Sequence, residues 1–247
     1  MLSVVLPTRN DRESVELLIY TLLAVLEEPT GGDFELIVVD DSSDGSEVPL
    51  AGKMARFPGK VKVWHREKGT GLATAIGDGI ERCTRRYVLL MDADFNHNPL
   101  DLPRLLAAIR GGGLDLASGS RFLPGGGMPG HRFRHHGSLL FNRFVKKALG
   151  LETTDHLAGF WIMEREKVLA LKRRWDVFYG YGDYYIRLLY ACRLAGLAVR
   201  ELPVVYLSRL TGESNTSFRK ELIRYTKTVL ALRREAATLA ARLAGWR

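Results

Sequence analysis

The sequence carries two carboxylates at a spacing suited to metal chemistry. Asp92 and Asp94 stand two residues apart, directly after the apolar run Tyr87–Met91, and Asn96 adds a neutral oxygen two residues later. Carboxylates that leave a strand together can converge on one hard divalent cation if the chain bends there, and such a cation often takes phosphate oxygens as further ligands. An acidic pair can also simply end a strand, so the spacing alone leaves both interpretations open.

A second acidic pair, Asp40 and Asp41, follows the apolar run 37–39 in the same way. A carboxylate at this position can accept hydrogen bonds from a nucleobase N–H or from ribose hydroxyls. The serines at positions 42, 43 and 46 are equally suited to cap the next helix. A third polar stretch, Pro7 to Asp11, follows the first apolar run of the chain.

A basic stretch with a helical pattern offers a site for an anion. Arg134 and Ser138 are four residues apart and share one face of the helix predicted from Arg134 to Leu149. Near the beginning of a helix, free backbone N–H groups and the positive end of the helix dipole favour an anion. Arg121, which precedes the glycine-rich stretch 124–127, can reach the same anion. A basic face turned to solvent is the alternative.

The elements that must position these side chains alternate between strands and helices. Short β-rich runs at 3–6, 34–39, 61–65, 87–91 and 115–118 are separated by helical patterns at 12–27, 46–57, 71–83 and 99–109. This alternation predicts βαβ units and an α/β fold, with a mostly parallel sheet flanked by helices and ligands bound at the carboxyl ends of the strands. The polar stretches fall at those ends.

The second half of the chain has fewer strand patterns. We expect a strand at 159–163, a helix at 184–195, a strand at 199–206 and a long basic helix from Phe218 to about Ala244. No internal repeat or linker is evident. The sequence therefore predicts one domain over residues 1–217, followed by a basic amphipathic helix over residues 218–247.

Composition narrows the class of protein. The 247 residues are 46% hydrophobic and 26% charged, which excludes disordered, collagen-like and coiled-coil proteins. Two cysteines are too few for a disulfide framework or a Cys-based zinc site, and they favour a reducing compartment. No run approaches the roughly 18–20 apolar residues of a membrane span, and the chain opens on a strand pattern instead of a signal peptide. We therefore expect a cytoplasmic protein.

The net charge of +8 is concentrated in two segments. Residues 121–147 hold six Lys or Arg and no acid, and residues 218–247 hold eight Lys or Arg and two Glu, so each segment carries +6 and the rest of the chain −4. Two basic segments on an acidic body indicate anionic partners: nucleic acid, phosphorylated lipid or an anionic membrane. The basic residues include no aromatic stacking platform and no nucleic-acid-binding motif, which argues against nucleic acid.

Taken in order, these stretches resemble the family 2 glycosyltransferases of the GT-A fold, and most closely the polyprenol-phosphate (dolichol-phosphate) mannosyltransferase branch. The resemblance covers roughly residues 2–217. It rests on the motifs Val4–Asp11, Val38–Ser46, Gly71–Ala75, Met91–Pro99, Ser118–Phe122, Asp155–Phe160, and Arg209 with Gly212-Glu213-Ser214. The ordered set is specific for the superfamily, whereas each motif alone is weak.

The resemblance implies a role for each motif. The nucleotide would be bound by Pro7, Arg9, Asp11, Asp40 and Asp92. A Mg²⁺ or Mn²⁺ ion would be held by Asp92, Asp94 and Asn96. The acceptor phosphate would be gripped by Arg121, Arg134, Ser138 and Arg209. Asp94 and Arg121 would be catalytic residues, and Asp183 would join them as a general base if the acceptor were a hydroxyl.

The resemblance also implies a reaction, the inverting and metal-dependent transfer of a sugar from a nucleotide sugar to a polyprenyl or dolichyl phosphate. Mannose from GDP-mannose is the first expectation. A phosphate monoester is already anionic at neutral pH, so positioning and charge neutralisation suffice. A sugar or natural-product hydroxyl is the alternative acceptor and needs a general base, for which Asp183 is the candidate. An N-cap role would explain Asp183 equally well.

A lipid acceptor places the expected reaction at a membrane. We expect the protein to be peripheral, at the cytosolic face, with nucleic acid excluded as a partner. The basic helix over residues 218–247 would then lie on the anionic membrane surface.

Overall fold

The computed structural model describes residues 1–67, 71–130, 132–207 and 218–245. Its strands are β1 Leu2–Thr8, β2 Phe34–Asp40, β3 Val61–His65, β4 Tyr87–Leu90, β5 Leu116–Ser120, β6 Trp161–Glu164 and β7 Val199–Pro203. They form one seven-stranded sheet in the order β3-β2-β1-β4-β6-β5-β7. Strand β6 runs antiparallel to its neighbours β4 and β5, and the other pairs are parallel. The mostly parallel α/β sheet expected from the sequence is confirmed.

Helices cover the sheet. They are α1 Arg12–Thr30, α2 Glu47–Met54, α3 Leu72–Arg82, α4 Leu102–Arg110, α5 Arg132–Leu149, α6 Arg165–Arg174, α7 Tyr184–Leu194, α8 Phe218–Arg234 and α9 Ala236–Leu243. A short 3₁₀ turn, Pro99–Asp101, leads into α4. Across the described ranges, none of the helices combines the length and the apolar character that crossing a bilayer requires.

The strand order predicts a ligand crevice at the carboxyl ends of the strands. Strands β2 and β3 are added in turn on one side of β1, and β4 then pairs with the other side of β1. Open α/β sheets bind ligands at the carboxyl ends of the strands, where the order reverses in this way. The Pro7–Asp11 stretch leaves β1 at that edge, and the Asp92–Asn96 turn begins two residues after the end of β4.

Close packing fixes the helices that border this edge. Every residue of β2 is buried, because helices cover both faces of the sheet. Helix α3 lies directly on β1 and β2 because Gly79 has no side chain. A Cβ at Gly79 would lie 2.6 Å from Cγ1 of Val5 and 2.9 Å from Cγ2 of Val39. The N-terminal end of α3 is thereby held beside the carboxyl ends of β2 and β3.

Two helical features differ from the expectation. Helix α6 follows β6 without a loop, and its buried residues, Val168 and Leu171, are too few to give a clear helical pattern. The predicted C-terminal helix is two helices that meet at Glu235. The break redirects the chain so that Leu239 and Leu243 of α9 are buried where α9 packs against α6 and α7.

Candidate functional site

Three side chains form a row across the carboxyl ends of β1, β2 and β3. The strand register places Thr8 beside Asp40, and Asp40 beside His65. The buried Asp40 carboxylate accepts hydrogen bonds from the hydroxyl and the N–H of Ser42, at 2.6 and 3.2 Å, and lies 2.7 Å from Nδ1 of His65. The His65 ring stays partly exposed. A ligand at this edge therefore meets His65 before it meets Asp40.

Hydrogen bonds tie the loops after β1 and β2 into one surface. Asn10, held at a φ of 53°, donates its N–H to the hydroxyl of Ser42 at 2.8 Å and accepts on its side-chain oxygen from the N–H of Ser43 at 2.9 Å. Asp41 pairs through both oxygens with the buried guanidinium of Arg66, which also donates to two side chains of α3. These bonds fix the shape of the edge before any ligand binds.

The Asp92–Asn96 turn bends as the metal hypothesis requires. Phe95 has a φ of 64°, a left-handed conformation that costs energy for a residue with a bulky side chain. The bend folds Asn96 back onto Asp94, whose carboxylate accepts from the backbone N–H of Asn96 at 3.0 Å and from its side-chain amide at 2.7 Å. The side chain of Asp92 is 39% exposed. Two carboxylates and one amide are thus gathered within a single turn at the crevice.

A buried histidine holds this turn from inside. Nδ1 of His97 accepts the N–H of Asp92 at 2.8 Å, so its Nε2 carries the proton and donates to the carbonyl of Ala158 at 3.0 Å. The ring stacks on Phe160, with 4.6 Å between centroids, and Nε2 also contacts the hydroxyl of Tyr206. Burial lowers the pKa of His97 to about 4, which keeps the ring neutral and Nδ1 an acceptor. Because its contacts hold the His97 ring in place, the ring fixes the backbone position of Asp92.

Arg121 lies inside the protein and already has a partner. Its guanidinium grips Asp155 with two hydrogen bonds, from Nε at 2.6 Å and from Nη2 at 2.8 Å, and lies 4.5 Å from the centroid of the Tyr206 ring. Burial alone lowers the pKa of Arg121, but the charge of Asp155 raises it above its usual value, and the charge of Asp92 adds to this. Arg121 is thus a buried positive charge within electrostatic range of the acidic turn.

Asp183 occupies the N-cap position of α7, makes no capping hydrogen bond and is buried. Its Oδ2 accepts from Nη1 of Arg187 at 2.5 Å and from the hydroxyl of Thr228 at 2.9 Å, and its Oδ1 accepts the N–H of Tyr181 at 2.9 Å. Burial alone raises the pKa of Asp183, but the hydrogen bond and charge of Arg187 hold it below its usual value. A carboxylate in this setting is a weak proton acceptor.

The two predicted anion-binding residues of α5 lie in different environments. Arg134 is exposed, whereas Ser138 is buried and its carbonyl accepts from the side-chain amide of Asn142 at 2.9 Å. The Asn142 side-chain oxygen accepts the N–H of His156 at 2.7 Å and lies 2.9 Å from Nδ1 of the same residue. The inner face of α5 is thereby bound to the loop that carries Asp155, the partner of Arg121.

The remaining predicted residues are spread around the edge. Pro7 is buried within β1, Arg9 is exposed in the loop that follows, and Asp11 stands at the N-terminal end of α1. Arg209 and the 212–214 motif lie outside the described residues. The structure therefore gathers the acidic turn, the Asp40 row and the buried Arg121 along the carboxyl edge of the sheet.

Two places along this edge offer metal ligands. The ligand atoms of Asp40, Glu47 and His65 lie within 4.8 Å of one another. The hydrogen bond to Asp40 raises the pKa of His65, so a proton competes more strongly with a metal ion for this ring. The Asp92–Asn96 turn offers oxygen donors on a bent, partly exposed chain, the donor set that Mg²⁺ and Mn²⁺ prefer. The acidic turn therefore fits the ion that the resemblance implies.

Three residues that shape this edge have no role in the sequence-based predictions. His97 lies inside the Met91–Pro99 motif, and its place just after the acidic pair is the one available signal. Arg66 and Glu201 have no such signal, because their partners are distant in sequence. Glu201 of β7 accepts the N–H groups of Thr154 and Asp155, at 2.7 and 2.8 Å, and so holds the loop that pairs with Arg121.

Known proteins resemble this chain over most of its length. The family model described as Glycosyl transferase family 2 matches residues 3–171. A dolichol-phosphate mannosyltransferase of Pyrococcus furiosus is 30% identical over 217 residues, which are 86% of this chain and 58% of that protein. This chain therefore spans little more than half of that relative. A polyprenol monophosphomannose synthase of Mycolicibacterium smegmatis is 32% identical over 219 residues, 87% of this chain and 80% of that protein.

The solved structures that resemble this chain include glucosyl-3-phosphoglycerate synthase from Mycobacterium tuberculosis. Its complex with Mn²⁺, UDP and glucosyl-3-phosphoglycerate is 22% identical, with a TM-score of 0.66 over 94% of this chain and 79% of that one. Its complex with Mg²⁺ and UDP gives the same TM-score over 94% and 78%. This likeness establishes the GT-A fold. Because the family model covers more than half of the chain, and a relative above 30% identity is matched over most of its own length, the chain belongs to glycosyltransferase family 2.

Proposed function

We propose that this protein transfers a sugar from a nucleotide sugar to a polyprenyl or dolichyl phosphate, with GDP-mannose as the first donor to test. The names of the two relatives support this acceptor class. The observation that carries the proposal is the acidic Asp92–Asn96 turn, bent into a cation-binding shape at the crevice beside the buried Arg121–Asp155 pair. Such a turn suits the diphosphate of a donor, and the positive charge behind it suits a second, anionic substrate.

The nucleoside would lie on the loops after β1 and β2. Pro7, Arg9 and Asp11 border this end of the crevice. Asp40 already accepts three hydrogen bonds, so in this proposal it acts by orienting His65 and the following loop. Hydrogen bonds already hold the two loops together, so the loops lose little conformational entropy when the nucleotide binds. This favours affinity.

Asp92, Asp94 and Asn96 would hold Mg²⁺ or Mn²⁺ against the donor diphosphate. The neighbour solved with UDP and either ion supports a metal here. When bound, the ion supplies positive charge that stabilises the departing nucleoside diphosphate. The protein supplies orientation, because His97 fixes the backbone of Asp92 and Asn96 fixes the carboxylate of Asp94. Attack by the acceptor from the opposite face of the sugar inverts the anomeric centre.

The acceptor phosphate would approach from α5. Arg134 and Ser138 belong to this helix, and the proposal adds Arg209, which lies outside the described residues. Arg121 would act on the acceptor through its charge alone. Its guanidinium already donates hydrogen bonds to Asp155, so it would not need to contact the phosphate directly. A phosphate acceptor needs no general base, so positioning and charge are sufficient.

The proposed cellular location of the protein follows from its proposed acceptor. A polyprenyl phosphate is anchored in a bilayer, so we propose a peripheral protein at the cytosolic face of a membrane. Residues 1–217 would form the catalytic domain, and residues 218–247 would contribute helices that pack on it and contact the membrane surface.

The proposed function is tested by transfer from a panel of nucleotide sugars to a short polyprenyl phosphate, with Mg²⁺, with Mn²⁺ and with a chelator. We expect a polyprenyl-phosphate sugar that forms only with metal, and a loss of about 10²-fold or more in kcat for Asp94→Asn. Glu166→Gln is the matched control, because Glu166 is exposed on α6, two residues after Glu164, which pairs with Tyr87 at the opposite end of the strands. Full activity in chelator, or in Asp94→Asn, would refute the metal assignment.

A hydroxyl acceptor is the second candidate, with Asp183 as its general base. It predicts a loss of about 10²–10⁴-fold in kcat for Asp183→Asn and only a modest loss for Arg187→Gln, which breaks the same buried ion pair but keeps the carboxylate. The phosphate acceptor predicts similar, modest losses for both variants, because each breaks the same buried ion pair. Rates are compared at a temperature where melting curves show that both variants are folded.

A further inference from the structure

The chain between α6 and α7 passes the carboxyl edge of the sheet. We call residues 179–183, with the sequence Tyr-Gly-Tyr-Gly-Asp, the Tyr-Gly loop. The carbonyl oxygen of Gly180 lies next to the beginning of α3, 3.8 Å from the position that a Cβ on Gly71 would take. The N–H of Gly71 donates in turn to Asp41, at 2.9 Å. One end of the Tyr-Gly loop therefore lies beside the loop after β2, where the nucleoside is proposed to bind.

The other end of the Tyr-Gly loop leads to the acidic turn. Tyr184 follows the loop directly, and its buried hydroxyl lies 3.5 Å from the carbonyl oxygen of Gly159. Burial raises the pKa of this hydroxyl, and the negative charge of Asp92 raises it further, so Tyr184 lies within electrostatic range of the turn. The Tyr-Gly loop thus spans the interval between the proposed nucleoside and diphosphate positions.

A buried arginine holds the Tyr-Gly loop from inside. Arg187 is 1% exposed, and its guanidinium donates to the carbonyl of Val177, at 3.1 Å, and to the carbonyl of Tyr179. It also pairs with the carboxylate of Asp183. Gly180 is needed above these contacts, because its φ is 77° and a Cβ would lie 3.0 Å from Oδ1 of Asp183. The conformation of the loop therefore depends on how Asp183 and Arg187 are held.

Helix α8 holds the same loop from outside. The hydroxyl of Thr228 donates to Oδ2 of Asp183 at 2.9 Å. Three residues earlier, Tyr225 packs against Gly182, where a Cβ would lie 2.5 Å from the Tyr225 hydroxyl. Residues three apart share one side of a helix, so Tyr225 and Thr228 contact the loop together. Helix α8 therefore helps to set the shape of a loop that lies 45 residues earlier in the sequence.

We infer that Thr228 is a positioning residue for sugar transfer, which acts through Asp183 to hold the Tyr-Gly loop against the sugar of the bound donor. The inference rests on the proposed function, because a nucleotide sugar bound from β2 to the acidic turn would lie along this loop. A valine at position 228 keeps the shape of threonine but removes one hydrogen bond from Asp183. The loop is then free to shift, and a small displacement of a group that contacts the substrate lowers the rate.

The test compares Thr228→Val with Thr226→Val, the matched control on the same helix. The Thr226 hydroxyl bonds to the carbonyl of Leu222 within α8, at 2.7 Å. Transfer is measured from GDP-mannose to a short polyprenyl phosphate, and calorimetry with Mn²⁺ gives the affinities for GDP-mannose and for GDP. Another donor that the panel identifies would replace this pair, together with its own nucleoside diphosphate. All variants are compared at a temperature where melting curves show that they are folded.

We expect Thr228→Val to lower kcat/KM and the affinity for GDP-mannose by about threefold to tenfold, the loss of one hydrogen bond to a carboxylate. Its affinity for GDP should stay within about twofold of wild type, because the loop is inferred to contact the sugar. Thr228→Ser keeps the hydroxyl and should restore most of the rate. Thr226→Val should match wild type in every measurement.

Three results would overturn the inference. They are a wild-type kcat/KM in Thr228→Val, equal losses in Thr228→Val and Thr228→Ser, and equal losses of affinity for GDP and for GDP-mannose. The last would mean a general disturbance of the donor site. If the wild-type chain binds the donor but transfers nothing to polyprenyl phosphate, the proposed acceptor is wrong, and the two affinities still decide the inference.

Discussion

Three buried acidic residues near the carboxyl edge of the sheet are each bound to an arginine of the same chain. The buried pairs are Asp41 with Arg66, Asp155 with Arg121 and Asp183 with Arg187. An unpaired charge in such a position costs several kcal/mol, so each pair is needed to keep the edge folded whatever else it does. The Asp92–Asn96 turn differs, because its carboxylates sit in a partly exposed bend and Asp94 is oriented by a neutral amide.

His97 is predicted to set the metal affinity of this turn. His97→Phe keeps a ring to stack on Phe160 but removes the acceptor for the N–H of Asp92. Loss of such an outer contact weakens metal binding by about 10–100-fold. Calorimetry should show weaker Mn²⁺ binding in the presence of a nucleoside diphosphate, and unchanged nucleotide binding without metal.

A second variant distinguishes the roles of the two ring nitrogens of His97. Tyr206→Phe removes a hydroxyl next to Nε2 and leaves the bond between Nδ1 and Asp92 intact, so we expect a much smaller change in Mn²⁺ affinity. Equal Mn²⁺ affinities in wild type and His97→Phe would contradict a positioning role for this histidine.

These residues also show where sequence reasoning succeeds and where it stops. The acidic turn was predictable, because polar residues directly after an apolar strand occupy the ligand edge of a parallel sheet. The pairing of Arg121 with Asp155 was not, because it joins residues 34 positions apart and depends on how β5 and the following loops fold. The Asp183–Arg187 pair was within reach, since residues four apart are neighbours on a helix.

At the scale of elements, the C-terminal helices have two sides with different tasks. Val229 and Leu232 of α8, with Leu239 and Leu243 of α9, are buried, and Thr228 bonds to Asp183. The sequence predicted a basic amphipathic helix here and placed it on a membrane surface, without assigning any of its apolar residues to the protein core. The break at Glu235 was not predictable from the sequence, because its position depends on how α9 packs against α6 and α7.

Leu239→Ala should destabilise the protein, because it opens a cavity between α9 and the helices beneath it. Leucine-to-alanine changes at buried positions cost about 2–5 kcal/mol of unfolding free energy. Leu230→Ala, at a position 44% exposed, should cost less than about 0.5 kcal/mol. Urea unfolding measures both. Similar losses would mean that α9 contributes no more to the fold than the outer side of α8.

This packing also decides how membrane binding can be studied. Deleting residues 218–245 would remove four buried side chains from the core, so a loss of vesicle binding would follow from unfolding as readily as from a lost contact. Point changes at exposed residues of α8, such as Leu230, avoid this difficulty, because they leave the buried side of α8 and α9 intact.

At the scale of the whole molecule, two halves of the sheet meet at the crevice. The parallel strands β3, β2, β1 and β4 present the Asp40 row and the acidic turn, and β5 and β7 present Arg121 and Glu201. The halves are joined through β6 and through the loop before it, where Asp155 and His156 lie. The stability of that loop therefore affects both halves, and His156 makes it sensitive to pH.

Burial lowers the pKa of His156 from 6.5 to about 4. The Asn142 oxygen accepts from Nδ1, and Nε2 is buried without a partner, so a second proton would create an unpaired charge there. In the unfolded chain the ring takes up its proton near pH 6.5, while the folded protein resists protonation until about pH 4. The unfolded state therefore binds more protons in this window, and stability falls as pH falls from 6.5 to 4.

The expected contribution of His156 to this fall is about 3 kcal/mol, from the size of the pKa difference. Urea unfolding of wild type and His156→Gln at several pH values between 7.5 and 4.5 measures it, and the variant should show a distinctly flatter dependence on pH. His136→Gln is the control for the substitution itself, because His136 is exposed on α5. If His156→Gln keeps the wild-type slope, the acid sensitivity of the fold must come from other groups, and the loop between the halves does not respond to pH through this ring.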